Sequence, residues 1–246
     1  ASDVYKRQKL DGMLTDYPGA TLLQAKGSRL RLVMETDGSL SLIASKKSNV
    51  RNPDDLKGKN ISVSGNTFVE YATDEVMKRA CLHPGEVNKP EINNIPLRLM
   101  MLEDGQISAS FLPGPATAIA LNDGHTALLN TRQMGLHCTG IVFSEKAITE
   151  KDEEIRRFIT GYNLGVKYLQ TRPQNEWTEI LVKEFGLQEK AAMQIDLPDY
   201  RPATRPSYHD IEKIIAWLKS KRAIPDYYPG ENLVDTTFIP GTPEPQ

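Results

Sequence analysis

Apolar and polar positions follow two periods along this chain, and the periods alternate. Short apolar or alternating runs bounded by Gly, Pro, Asp or Lys predict strands at 11–14, 30–34, 40–44, 60–63, 107–112 and 140–143. Within 40–44, Leu40, Leu42 and Ala44 alternate with Ser41 and Ile43, which predicts a half-buried strand. Other stretches show helical spacing. Phe68, Ala72, Val76 and Ala80 recur at every fourth residue behind Thr67 and Glu70, a capping-box pattern with Thr67 at the N-cap. Thr149 and Asp152 open a second helix that carries Ile155, Phe158, Ile159, Tyr162, Val166 and Leu169 on one face and stops at Pro173. Ser207 and Asp210 open a third, with Ile211, Ile214, Ile215 and Leu218 as its stripe. Strands alternating with helices predict an α/β protein with a mainly parallel sheet, turning mostly helical toward the C-terminus. The Pro-rich tail after Ile239 reads as disordered. The first eight positions, 1–8, share no pattern with the rest of the chain and read as a scar of cloning or sequence assembly.

Composition narrows the function. At 246 residues the chain has room for one large domain or two small ones. A net charge of -2 offers no basic stripe for nucleic acid. No run reaches the length of about 18 apolar residues that a membrane-spanning helix needs. Cys81, Cys138 and four histidines are too few and too scattered to spell a metal cluster, and two cysteines fit either one disulfide or two free thiols.

Several segments carry candidate chemistry. Ser64-Gly65-Asn66-Thr67 lies between a predicted strand and a predicted helix. Such a turn presents backbone N–H groups and the positive end of the helix dipole, and can cradle a carboxylate, sulfonate, phosphate or polar ring edge. The plainer reading makes Thr67 an N-cap and Gly65 a turn. There is no P-loop lysine and no GxGxxG. Asp16 and Tyr17 stand at the end of a strand, where ligands bind in open α/β sheets, unless Asp16 only caps the helix that Pro18 begins. Phe111-Leu112-Pro113-Gly114-Pro115 reads as a rigid turn without ligand contact. Asp37-Gly38-Ser39 and His137-Cys138-Thr139-Gly140 each precede a strand-like run and read either as two crossings between lobes or as unrelated loops. No catalytic set stands out.

Taken in order, these segments resemble the periplasmic-binding-protein-like type II fold, and within it the substrate-binding proteins of ABC importers in the sulfonate, nitrate and thiamine-precursor (SsuA/Thi5-like) branch. The residues that carry the resemblance are Asn52-Pro53-Asp54-Asp55-Leu56-Lys57-Gly58-Lys59, a strand and Ser64-Gly65-Asn66-Thr67. Glu103-Asp104-Gly105-Gln106-Ile107-Ser108-Ala109, the Phe111 to Pro115 turn, Gly161-Tyr162-Asn163 and Trp217-Leu218-Lys219 come next, in the family's order. Ser108 and Gly114 depart from the family's Asp and Glu, so no cationic or amine partner is inferred from that turn.

The resemblance implies a two-lobed α/β protein. Lobe 1 comprises 10–47 and 140–239, lobe 2 comprises 48–139, and 1–9 and 240–246 are tails. Crossings are expected near 39–45 and 139–144. Only residues 1–36 precede the first crossing, where a crossover unit alone takes about 30 residues, so lobe 1 is expected to be truncated at its N-terminus together with any signal or lipoprotein anchor. The implied function is capture of a small molecule between the lobes and its presentation to an ABC permease with its ATPase. The implied ligand contacts are Asp16, Tyr17, Gly38, Ser39, Ser64, Asn66, Thr67 and Thr139, with Tyr17 bordering or stacking on the ligand. No cofactor, metal or nucleic acid is expected, and the protein is read as a periplasmic or extracellular monomer. The rivals are a pyrimidine-precursor synthase-like enzyme on the same fold and a ligand-sensing domain. For the enzyme, His83, His125 and His209 are poorly placed and only His137, near a crossing, stands where a cleft residue is needed.

Overall fold

The computed structural model describes residues 10–186, 188–193 and 199–239, so the expectations for 1–9 and for the tail after Ile239 lie outside the described residues. In chain order the elements are β1 (Gly12–Asp16), α1 (Tyr17–Ala25), β2 (Leu30–Thr36), β3 (Leu40–Ala44), β4 (Ile61–Ser62), α2 (Phe68–Arg79), α3 (Ile95–Asp104), β5 (Ala109–Pro113), α4 (Gly114–Asn122), β6 (Thr126–Asn130), β7 (Thr139–Ser144), α5 (Glu145–Glu150), α6 (Asp152–Thr171), α7 (Gln174–Phe185), α8 (Glu189–Met193) and α9 (Tyr208–Ser220). They fall into two compact units. Unit 1 takes the described residues of Ala1–Gly38, His137–Thr171 and Asp199–Gln246, and unit 2 those of Ser39–Leu136 and Arg172–Pro198. Where the sequence suggests lobe 1 at 10–47 and 140–239, the chain changes unit after Gly38, and α7 and α8 join unit 2. Within unit 2, α8 packs on α4, and its Ala192 is fully buried.

Unit 1 is built on a three-stranded sheet of order β1-β7-β2. Both outer strands run antiparallel to β7, and therefore parallel to each other, joined by α1. Unit 2 repeats the arrangement in a four-stranded sheet of order β4-β5-β3-β6. There β5 and β6 share a direction and are linked by α4, while β3 runs the other way between them. β4 and β5 pair in parallel. The expected mainly parallel sheet is thus corrected to mixed sheets. The crossover helices do join strands of like direction, but in each unit a strand from a distant part of the sequence inserts between them.

The insertion explains a second correction. β3 is not half-buried: Leu42, Ile43 and Ala44 are all buried, because a central strand is covered on both faces. The core of unit 1 gathers Val33, Met34 and Phe143 with Ala147, Ile155 and Ile159 of α5 and α6 and with Phe238 and Ile239. That of unit 2 gathers Ile43, Leu102, Ile107, Leu112, Ala116 and Ala120. Helix starts obey the capping residues. Thr67 accepts from the Val69 amide at 3.2 Å and Ser207 from the Asp210 amide at 3.2 Å. The Thr149 start is corrected: Thr149 lies inside α5, its hydroxyl donating to the Glu145 carbonyl, and α6 begins at Asp152. The Pro113-Gly114 turn is itself a helix start, with Pro113 at the N-cap of α4. Cys81 is exposed, Cys138 is buried, and both are free thiols.

Candidate functional site

In unit 1 the predicted residues Asp16 and Thr139 are brought side by side. They are register partners across β1 and β7, and Thr139 is also the register partner of Thr36 in β2. The row therefore lies at the carboxyl ends of the two parallel strands. The Thr139 hydroxyl donates to the Thr36 carbonyl at 2.9 Å and accepts from the Gly38 amide at 3.1 Å. The segments around Gly38 and Thr139, over a hundred residues apart in sequence, are thus one hydrogen-bonded structure. A Cβ at Gly38 would stand 2.7 Å from Thr139 Oγ1, which is why glycine is needed there. Asp16 caps α1, accepting from the Gly19 amide at 2.7 Å, and is half-buried. Tyr17 presents no surface: it is 0% exposed, its amide donates to the Cys138 carbonyl and its hydroxyl to Glu35 at 3.2 Å. Burial, then the Glu35 charge, hold that hydroxyl protonated far above the ordinary tyrosine range.

Beside this row lies a charge cluster that periodicity did not reveal. Glu35 and Asp37 are 7% and 8% exposed. The Arg201 guanidinium bridges them, at 2.7 Å to Glu35 and 2.6 Å to Asp37, and the Arg201 amide donates to the other Asp37 oxygen at 2.7 Å. Partial burial works against the guanidinium's charge, but the hydrogen bonds to Asp37 and Glu35 outweigh it and raise its pKa. His137 brings a ring nitrogen to within 4.8 Å of both carboxylates, so Glu35, Asp37 and His137 form a set with metal-ligand chemistry. Arg201 and Tyr17 already take all four carboxylate oxygens, so the residues fit an internal ion cluster better than a metal centre.

In unit 2, Ser64, Asn66 and Thr67 form the turn between β4 and α2. The Thr67 hydroxyl donates to the Ser64 carbonyl at 2.8 Å while capping α2. Asn66 holds a left-handed backbone with φ 54°, a conformation Asn tolerates better than most residues. Its amide donates to the Glu70 carboxylate at 2.7 Å. The helix N-terminus therefore already holds one carboxylate of its own chain. Glu91 lies against Gly65, its carboxylate 2.8 Å from where a Cβ would stand, and Ser64 Oγ donates to Asn93 Oδ1 at 2.6 Å. Ser39 stands half-buried just before β3.

Sequence reasoning missed Glu35, Arg201 and a buried cation of unit 2, Arg98, which is 3% exposed. Arg98 did leave a trace, since a cation four residues before Leu102 interrupts the apolar stripe of α3. Arg201 left none, because its partner Asp37 lies 164 residues away.

Two α/β units, each with polar groups at the carboxyl ends of its parallel strands, define the periplasmic-binding-protein fold class. Solved structures with this fold include the periplasmic aliphatic sulphonate binding protein SsuA of Escherichia coli, with a TM-score of 0.80 at 12% identity, covering 98% of this chain and 80% of that one. The alkanesulfonate-binding protein SsuA of Xanthomonas axonopodis pv. citri, bound to MOPS, gives 0.77 at 18% identity, covering 91% and 79%. The ligand-binding component of an ABC-type import system of Staphylococcus aureus, with zinc bound, gives 0.78 at 13%, covering 96% and 82%. The chain belongs to the NMT1/THI5-like family, whose sequence profile matches residues 12–176. A search of curated proteins finds no match.

Proposed function

We propose that this protein is the solute-binding component of an ABC importer, which captures a small organic molecule or anion and presents it to a membrane permease powered by an ATPase. One observation carries the reading. In each unit polar groups gather at the carboxyl ends of parallel strands: Asp16 and Thr36, with Thr139 beside them, in unit 1, and Ser64, Asn66 and Thr67 in unit 2. Ligands of open α/β sheets bind at such ends. The named activities of the fold's neighbours, sulfonate binding and ligand binding for import, support the same class.

The proposed contacts are Asp16, Gly38 and Thr139 from unit 1 and Ser39, Ser64, Asn66 and Thr67 from unit 2. Tyr17, being buried, serves by fixing Asp16 and the start of α1. The protein acts without a cofactor or covalent chemistry, as a periplasmic or extracellular monomer. Among the described residues no helix is long and apolar enough to cross a membrane. Thermal-shift screening against sulfonates, nitrate, pyrimidines and amino acids tests the reading. Stabilisation by one class supports it, and no response to any class removes it. An absorbance band near about 400 nm after adding pyridoxal phosphate, from a Schiff base, would favour the enzyme reading instead.

A further inference from the structure

The C-terminal end of α9 carries cations and aromatic rings that the core of unit 1 does not use. Ile211, Ile214 and Leu218 bury one face of the helix, and Ile224 and Tyr228 are buried just beyond it. The Tyr228 hydroxyl also donates to Gln24 of α1. The turn between these anchors is therefore fixed. It projects Lys221, Arg222, Pro225, Asp226 and Tyr227 to the surface. Tyr227 is 87% exposed, so packing does not explain it. Trp217 and Lys219 are half-buried in the last turn of the helix, and Lys221 Nζ lies 4.8 Å from the centre of the Trp217 ring.

The backbone keeps a charge here against local preference. The Arg222 amide donates to the Lys219 carbonyl at 2.8 Å and the Ala223 amide to the Leu218 carbonyl at 2.9 Å, the two bonds of a Schellman turn. Such a turn needs one left-handed residue, and glycine is the usual choice. α3 and α7 end that way, on Gly105 and Gly186. α9 ends on Arg222 with φ 57°, a conformation that strains any residue with a side chain. Cations in a last turn suit the helix dipole, which accounts for Lys219. It accounts neither for an arginine at the strained position nor for the exposed Tyr227. Lys219 and Arg222 form no ion pair among the described residues. From 217 to 228 there are three cations against one acid, Asp226, on a chain whose net charge is -2.

The shape of the patch selects the partner. A protein interface seats its aromatic anchors in matching, fully desolvated pockets. Here the Tyr227 ring stands out from a narrow turn, and the hollow beside it, lined by Arg222, Ala223, Ile224, Pro225 and Asp226, is open to solvent. Tyr and Trp, with an apolar body and a polar edge, settle at the headgroup level of a bilayer, and neighbouring Lys and Arg hold them there when the lipids are anionic. We propose that the turn at 217–228 docks unit 1 on an anionic membrane surface. Lys219, Lys221 and Arg222 meet lipid phosphates, and the Tyr227 ring enters the headgroup layer beside Trp217. This goes beyond the solute-binding reading and does not depend on it.

Co-sedimentation of the intact chain with vesicles tests the proposal. One set is phosphatidylcholine alone, the other phosphatidylcholine with an equal part of phosphatidylglycerol. Binding is expected to the anionic vesicles and not to the neutral ones, and it should weaken as salt rises. Each cation near an anionic surface contributes about fivefold in affinity, so Lys219→Gln with Lys221→Gln should bind about 25-fold more weakly. Arg222→Gly removes the charge and the backbone strain together. It should melt at the same or a higher temperature and yet bind about fivefold more weakly. In Trp177→Phe, where Trp217 is the one remaining indole, emission should shift to the blue as anionic vesicles are added. Equal binding to both vesicles, or binding to neither, overturns the proposal. So does native affinity for anionic vesicles in both the double variant and Arg222→Gly. Capture by poly-L-glutamate without vesicle binding also overturns it, in favour of an acidic protein partner.

Discussion

The Thr139 hydroxyl receives the Gly38 amide at 3.1 Å, tying the end of β2 to the start of β7 where the chain leaves and re-enters unit 1. The same oxygen receives the Thr36 hydroxyl at 2.9 Å and donates to the Thr36 carbonyl at 2.9 Å. One side chain thus satisfies three groups. Thr139→Val keeps the shape and removes all three bonds. It should lower stability by about 1–2 kcal/mol, with Thr139→Ser close to native, in urea unfolding. Gly38→Ala should also destabilise, because the new Cβ would meet Thr139 Oγ1 at 2.7 Å.

Arg201 holds two buried carboxylates on one guanidinium. Replacing it by Met strands Glu35 and Asp37, each under 10% exposed. Loss of one partner of a buried pair costs about 3–5 kcal/mol, and the half-exposed Arg201 head lowers this to about 2–3 kcal/mol. The triple change Glu35→Gln, Asp37→Asn and Arg201→Met should recover part of that loss, since no charge is left unpaired. Equal unfolding midpoints for the native chain and Arg201→Met would show that the cluster holds nothing.

Asn66 separates a ligand role from a folding role. Its backbone φ of 54° suits glycine, so Asn66→Gly should leave stability within about 0.5 kcal/mol of native while Asn66→Ala lowers it by about 1 kcal/mol. If the Asn66 amide side chain touches solute, Asn66→Gly weakens binding in calorimetry with the melting temperature unchanged. Native affinity in this variant would take Asn66 out of the site.

The strand positions and the main helix starts were legible because they rest on local causes: apolar period, Gly and Pro punctuation, and the caps Thr67 and Ser207. β6 was not, since Thr126 and Ala127 are exposed and its residues do not alternate. Sheet direction was illegible for a different reason. β7 inserts between β1 and β2 by pairing with residues more than a hundred positions away, and no local period records such a partner. The turn at 64–67 was legible as a polar strand-to-helix junction. That its helix N-terminus is already occupied by Glu70 was not, because Glu70 read as half of a capping box with Thr67 and instead takes the amide of Asn66.

His125 gives unit 2 a sensitivity to acid. The Lys46 amide donates to its Nδ1 at 3.1 Å, which places the ring proton on Nε2, 3.3 Å from Glu103. Burial first, and the Lys46 charge next among the lowering causes, depress its pKa below the ordinary 6.5, against the opposing pull of Glu103 and Asp123. The unfolded chain then binds the proton more readily than the folded one. This contribution to stability is complete above pH 6.5 and is lost as pH falls through the lowered folded value. His125→Gln should flatten the decline in unfolding free energy as pH falls below 6.5. An unchanged slope would assign the decline to other groups.

The most direct measurement is calorimetric titration of the intact chain with sulfonates, nitrate, pyrimidines and amino acids, repeated on Asn66→Gly and Thr139→Val. Saturable binding of one solute per chain, weakened by a change in either unit, is the predicted result. No binding by any of these solutes, or binding indifferent to both changes, would contradict the solute-binding reading.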